Sequence, residues 1–130
     1  MHRLCTAAVL AACLFATARA ASLTDVRPLP GYACAQLNLT PAQLTDPHVG
    51  IPIRNTPSPQ APAVSFAGNT LIVQDPAQPS GGFVRVLRFT GQVGWIEAKW
   101  LRPWANIYDP TAKCVPSMMS NGKPGFGFTH

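Results

Sequence analysis

An all-β domain folded as a small barrel is the fold class that this sequence predicts, on three observations. Its 130 residues include 14 prolines and 10 glycines. That is too many breakers for a helical bundle or a doubly wound α/β sheet, because proline removes a helical hydrogen bond and glycine costs backbone entropy. Five short apolar runs follow one another between Ile51 and Ala98, separated by turn-forming residues. Within these runs apolar residues alternate, Leu71 with Val73 and Val84 with Val86, as a half-buried sheet demands. Short antiparallel strands leave their edges bare in a flat sheet, and curling the sheet on itself removes those edges.

The chain begins with a charged start, Met1 to Arg3, an uncharged apolar run from Leu4 to Ala18, and the small-residue cleavage pattern Ala18-Arg19-Ala20. This is the pattern of a secretory signal peptide over residues 1–20, which makes the protein periplasmic or secreted. The run falls short of the roughly 18 to 20 residues that a membrane-spanning helix needs, so no transmembrane segment is expected. Leu10-Ala11-Ala12-Cys13 is also similar to the lipobox of bacterial lipoproteins, a second reading in which Cys13 carries a lipid anchor. In the first reading Cys5 and Cys13 are discarded with the signal.

Residues 21–49 read as a polar lead-in. Arg27, Pro28 and Pro30 imply extended chain up to Gly31, and Tyr32-Ala33-Cys34 opens the ordered part. Thr40-Pro41-Ala42-Gln43 has the form of a capping box with proline at the first helical position, which predicts one or two turns of helix that Pro47 stops. Strands are then expected at Ile51 to Arg54, Val64 to Phe66, Thr70 to Gln74, Gly82 to Phe89 and Val93 to Ala98. A stiff proline-rich loop from Asn55 to Pro62 joins the first two. Turns at Ala67-Gly68-Asn69, Asp75 to Gly82 and Thr90-Gly91-Gln92 separate the others. The barrel is placed over residues 50–104. Residues 105–130 contain Asn121-Gly122 and Pro124-Gly125-Phe126-Gly127-Phe128, a composition that predicts an irregular C-terminal extension.

From Ile51 to Trp104 the residues Ile53-Arg54, Pro57-Ser58, Val64-Ser65-Phe66, Gly68, Leu71-Ile72-Val73, Phe83-Val84-Arg85-Val86, Gly94-Trp95-Ile96 and Trp100-Leu101 stand in an order that resembles the bacterial SH3-like domain family, SH3b or SH3 type 3. The resemblance implies a five-stranded SH3-like barrel. For function it implies binding to cell-wall peptides, to peptidoglycan or to a protein partner, and no catalysis. Phe83 departs from the family, which more often has tryptophan there, and Trp100 stands where the family has tyrosine. The flanks Tyr32 to Val49 and Pro103 to His130 lie outside the pattern.

Cys34 and Cys114 are the two cysteines left after the signal, and in an oxidising compartment a disulfide is the expected fate of the pair. Such a bridge ties the two flanks together beside the barrel. Neither cysteine has the C-x-x-C spacing or nearby histidine that a redox or nucleophilic role uses. Removing Arg3 and Arg19 from the 10 basic residues leaves 8 against 5 acidic ones, a net charge of +3 instead of +5. Arg54, Arg85, Arg88, Lys99, Arg102 and Lys113 are scattered along the chain, and no nucleic-acid partner is expected.

Catalytic constellations are scarce. The histidines beyond the signal are His48 and His130, and Asp25, Asp46, Asp75, Glu97 and Asp109 are widely separated. Metal-ligand spacing, a G-x-S-x-G elbow and a P-loop are all missing, so no catalytic residue, metal or cofactor is predicted. The aromatic residues are more informative: Phe83, Trp95, Trp100, Trp104 and Tyr108. Trp95, directly after Gly94, reads as a packing residue. Phe83, Trp100 and Trp104 are expected to line a ligand-binding groove, with Arg54 or Arg102 meeting a carboxylate. The function expected is that of a secreted, non-catalytic binding module of the bacterial envelope. The alternative is an inhibitor, chaperone or assembly factor that grips an exported protein through a tail from Val115 to His130, with Phe126 and Phe128 in contact.

Overall fold

All five runs expected as strands do form strands in the computed structural model, which describes Cys13 and residues 22–130. The signal peptide lies outside the described residues, apart from Cys13, which is exposed. In chain order the elements are β1 (Asp25–Pro28), β2 (Tyr32–Leu37), α1 (Pro41–Thr45), β3 (Pro52–Arg54), β4 (Ala63–Phe66), β5 (Thr70–Gln74), β6 (Phe83–Leu87), β7 (Val93–Glu97), a 3-10 turn (Ala98–Trp100), β8 (Leu101–Pro103), β9 (Lys113–Met119) and β10 (Pro124–Thr129). The helix starts as its sequence predicts. The Thr40 hydroxyl accepts from the Gln43 N–H at 3.2 Å and the Gln43 side chain accepts from the Thr40 N–H at 2.9 Å.

The fold is all-β, and the described residues form ten strands in two antiparallel sheets, in the orders β4-β3-β7-β6-β5-β2-β8 and β1-β9-β10. The all-β class is as expected, whereas the small five-stranded barrel is not seen as such, since the larger sheet has seven strands and does not close. The difference comes from the lead-in: Tyr32 to Leu37 enters the larger sheet between β5 and β8, and its alanines and glutamine carry little strand propensity. The larger sheet coils without closing. β2 stands four places from β3, about 19 Å across a flat sheet. Yet Leu37 and Ile51 line the same hollow. Coiling of this kind gathers Leu37, Ile51, Ile53, Leu71, Val84, Val86 and Ile96 into one core.

The expectation of an irregular C-terminal extension is also corrected, because β9 and β10 form a hairpin in register from Lys113↔Thr129 to Met118↔Pro124. Its prolines and glycines suit these strands for positional reasons. The Pro116 carbonyl accepts from the Leu29 N–H at 2.8 Å. A strand residue points its N and O to the same side, so the Pro116 nitrogen faces Leu29, the residue just past β1, and proline forgoes only the last bond of that ladder. Pro124 turns its nitrogen to the open edge. At Gly127 a Cβ would lie 2.8 Å from Asp25 Oδ2 and 3.1 Å from Ser117 Oγ, so any other residue there must push the Asp25 side chain away from the buried Ser117. A contact made through this segment therefore uses a paired strand edge, not a free tail.

Cys34 of β2 and Cys114 of β9 form a disulfide across the two sheets. Between the sheets lies Ile72, cross-strand partner of Cys34 and 1% exposed. Phe89 and Phe126 meet edge to face at 5.4 Å, a second point of contact between the sheets.

Candidate functional site

Strand alternation sets which side chains reach the surface. Leu71, Val84, Val86 and Ile96 point into the coiled sheet, so Phe83, Arg85 and Trp95 point away from it. Phe83 nevertheless is 4% exposed. It exchanges backbone hydrogen bonds with Ser80 at 2.8 and 3.0 Å, which fixes the preceding loop against it. Phe83 therefore does not line a groove. Trp100 packs partly buried against the core with the Lys99 ammonium 5.1 Å from its ring centroid. Arg54 donates from Nη1 to the Ala61 carbonyl at 2.8 Å, which holds the proline-rich loop, and it lies across the ladder from Trp95.

Arg102 and Trp104 are the two expected site residues that the fold brings together. They border a hollow of about 310 Å³, shared with Gln36, Asn69, Ile107 and Tyr108. β8 places Arg102 directly opposite Gln36. The Gln36 amide then donates to the Ala105 carbonyl at 3.0 Å and accepts from the Ala105 N–H at 3.4 Å, so the chain leaving β8 is clamped to β2. Trp104 leans on Phe128 of β10 with 5.7 Å between rings. From here the loop is built by side chains that imitate backbone turns. Asn106 Oδ1 accepts from the N–H groups of Tyr108 at 2.9 Å and Asp109 at 3.2 Å. Asp109 takes the Thr111 hydroxyl at 2.6 Å on one oxygen and His130 Nδ1 at 2.9 Å on the other.

The consequence is a rigidly turned loop that presents Ile107 and Tyr108 to solvent, at 82% and 91% exposure the most exposed of the large apolar side chains described. Sequence reasoning noted Tyr108 among the aromatics but left Ile107 and Tyr108 out of the site. The signal was present, since Asn106 and Asp109 bracket an apolar pair at Asx-turn spacing. Arg102 has no acidic partner among the described residues, whose ion pairs are Asp46 with His48, Glu97 with Lys99 and Asp109 with His130. No three His, Cys, Asp or Glu side chains among the described residues stand together as metal ligands.

The Thr111 hydroxyl, followed by the Thr111 N–H, holds the Asp109 carboxyl below its ordinary value of 3.8, and His130 and Ala112 add to the effect. A lowered carboxyl pKa stabilises the fold above the ordinary value, and that support is lost as pH falls through the lowered one. In an acid titration followed by NMR, the amides of residues 106–112 are expected to shift together below pH 3.8 while those of β5, β6 and β7 stay still. A loop that keeps its shifts until the whole domain unfolds would remove Asp109 as its clasp.

No protein-family model, curated protein or solved structure matches this chain. The intramolecular disulfide is compatible with an extracellular or periplasmic protein. Among the described residues no helix is long and apolar enough to cross a membrane. The functional reading accordingly rests on the hollow beside Arg102.

Proposed function

We propose that this chain is a secreted, non-catalytic binding module of the bacterial cell envelope that holds peptidoglycan at the hollow formed by Arg102, Trp104 and Tyr108. One observation carries the reading: the most exposed large apolar pair, Ile107 and Tyr108, stands on a clamped loop beside an arginine that has no acidic partner. Flat rings of Trp104 and Tyr108 offer stacking surfaces for sugars, and the Arg102 guanidinium takes a stem-peptide carboxylate through two parallel hydrogen bonds. The architecture that goes with this function is an SH3-like coiled sheet, open rather than closed into a barrel, with a second sheet added. The resemblance of residues 51–104 to the SH3b pattern supports that assignment.

Co-sedimentation with purified cell-wall sacculi tests the proposal. The mature protein is expected in the pellet well above a control protein of similar charge. Tyr108→Ala, at a side chain with almost no contacts to lose, is expected to weaken binding about tenfold, equivalent to about 1.4 kcal/mol, without changing the melting temperature. Trp104→Ala is expected to weaken it further. Protein that stays in the supernatant, or a Tyr108→Ala variant that pellets like the parent, would overturn the assignment, and capture of an envelope protein through the same hollow would redirect it to a protein ligand.

A further inference from the structure

A second cluster lies on a different part of the larger sheet. Arg54 of β3, Trp95 of β7 and Arg85 of β6 are successive cross-strand partners, Arg54↔Trp95 and Arg85↔Trp95. Side chains paired in this way share one face of a sheet. That face points away from the core, because Ile53, Val84, Val86 and Ile96 alternate with these three residues and point inward. The Arg85 guanidinium sits 5.1 Å from the Trp95 ring centroid, and Arg54 is held in place by its bond to the Ala61 carbonyl. All three side chains are half-buried.

What is missing is a counter-charge. Neither Arg54 nor Arg85 has an acidic partner among the described residues, and the acid two positions along β7, Glu97, is engaged by Lys99 at 3.1 Å. Arg85 Nε is moreover buried without a hydrogen-bond partner. Two like charges on one face of adjacent ladders repel, and partly desolvating each of them without a partner costs more. The fold gains the Ala61 bond and the contact with the indole from these arginines, but neither contact supplies a counter-charge. A bound anion would supply the missing charge. Stacking on the indole removes rotational freedom from the Arg85 guanidinium before any ligand arrives, so less is lost on binding.

The spacing limits the ligand. Arg54 and Arg85 are two strand spacings apart, about 9.6 Å between backbones, with an indole wedged between them. That suits a chain with repeated charges better than one isolated ion. Between the charges the ligand must cross the apolar edge of Trp95, which a sugar ring matches with its C–H face and an acidic peptide, with polar amides there, does not.

We propose that the Arg54, Trp95 and Arg85 face binds an anionic glycan, whose carboxylate or phosphodiester groups meet the two guanidiniums while a sugar face crosses the indole edge. This site is independent of the hollow at Arg102. The test is isothermal calorimetry of the mature protein with polygalacturonate, which carries carboxylates, and with a phosphomannan, which carries phosphodiesters; dextran and polyglutamate are the controls. At least one of the two charged glycans is expected to bind, dextran is not, and polyglutamate is expected to bind at least tenfold more weakly. The response to the two glycans identifies the charged group. Arg54→Gln with Arg85→Gln is expected to weaken glycan binding tenfold or more, whereas Lys113→Gln, at an exposed cation of the smaller sheet, leaves it unchanged. Since Arg54 also anchors a loop, Arg85→Gln alone, checked by its melting temperature, carries the test if the double variant does not fold. Binding to neither glycan, equal binding by the arginine variants, or polyglutamate bound as tightly as the glycans would each overturn the proposal.

Discussion

Replacing Cys34 and Cys114 together by serine is expected to lower the unfolding free energy by about 4 kcal/mol and the melting temperature by at least about 15 °C. The bridge spans 80 residues. Without it the unfolded chain regains the freedom of a loop of that length, worth about 4.5 kcal/mol on chain-entropy grounds. Position makes the loss uneven. β2 lies inside the larger sheet and β9 is the central strand of the smaller one, so the bridge joins two bodies that otherwise meet through Ile72 and the aromatic pairs Phe89 with Phe126 and Trp104 with Phe128. A three-stranded sheet is at the small end of what is stable by itself. Hydrogen exchange of the serine variant is therefore expected to show β9 and β10 losing protection first, with β5, β6 and β7 protected up to global unfolding. Loss of less than about 1 kcal/mol, or exchange that rises evenly in both sheets, would mean that packing alone docks them.

Gly94→Val is expected to be the most damaging single substitution in the larger sheet. A Cβ at position 94 would stand 2.4 Å from Ile53 Cγ2 and 3.4 Å from the Arg54 carbonyl oxygen. Ile53 is a core residue and cannot swing away without leaving a void, so β3 and β7 must separate. Overpacking by one methyl costs about 1 to 3 kcal/mol, which sets the expectation for Gly94→Ala, and valine adds a branched side chain to the same clash. A compensating change follows from the identity of the clashing atom. Leucine has no branch at Cβ, so Ile53→Leu removes the methyl that the Cβ added by Gly94→Ala would strike. Urea denaturation of Gly94→Ala, Ile53→Leu and the double variant checks this. The double variant is expected to be more stable than the sum of the two single losses by about 1 kcal/mol, a coupling that neighbours in contact show and distant sites do not. Strict additivity would place the cost of Gly94→Ala elsewhere.

Strands β5 and β6 show what could be read in advance. Thr70 to Gln74 and Phe83 to Leu87 were legible because period-2 alternation and turn-forming residues are local properties of a dozen neighbouring positions. The capped helix at Pro41 was legible for the same reason, since a capping box closes within four residues. The hairpin at residues 113–129 was not. Proline and glycine are counted against a strand when its neighbours are unknown. Pro116 costs little only because β1 ends beside it and Pro124 because β10 exposes that edge, and at Gly125 and Gly127 a Cβ would press on the Met119 and Asp25 side chains. β2 was hidden by the reverse effect, an undistinguished sequence that pairing on both sides turns into an inner strand.

For the candidate site the division is similar. Arg102 and Trp104 were identified from residue type, and the fold places them at one hollow. Phe83 has the same aromatic character and the same alternation, yet the fold leaves it only 4% exposed. Trp95 read as a packing residue, but cross-strand register sets it between two arginines.

By itself, then, the order of residues determined the all-β class, the five strands from β3 to β7, the capped turn of helix and the cysteine pair. Each depends on interactions among near neighbours or on a pair with no other partner. Tertiary structure alone decided the second sheet, the open coil of the first, and which aromatic and cationic side chains remain in contact with solvent. Alternation gives every strand two faces without saying what will cover either one. That is settled by chain brought in from dozens of residues away, here β2, β9 and the loops over β6, and the exposed set is what their packing leaves uncovered.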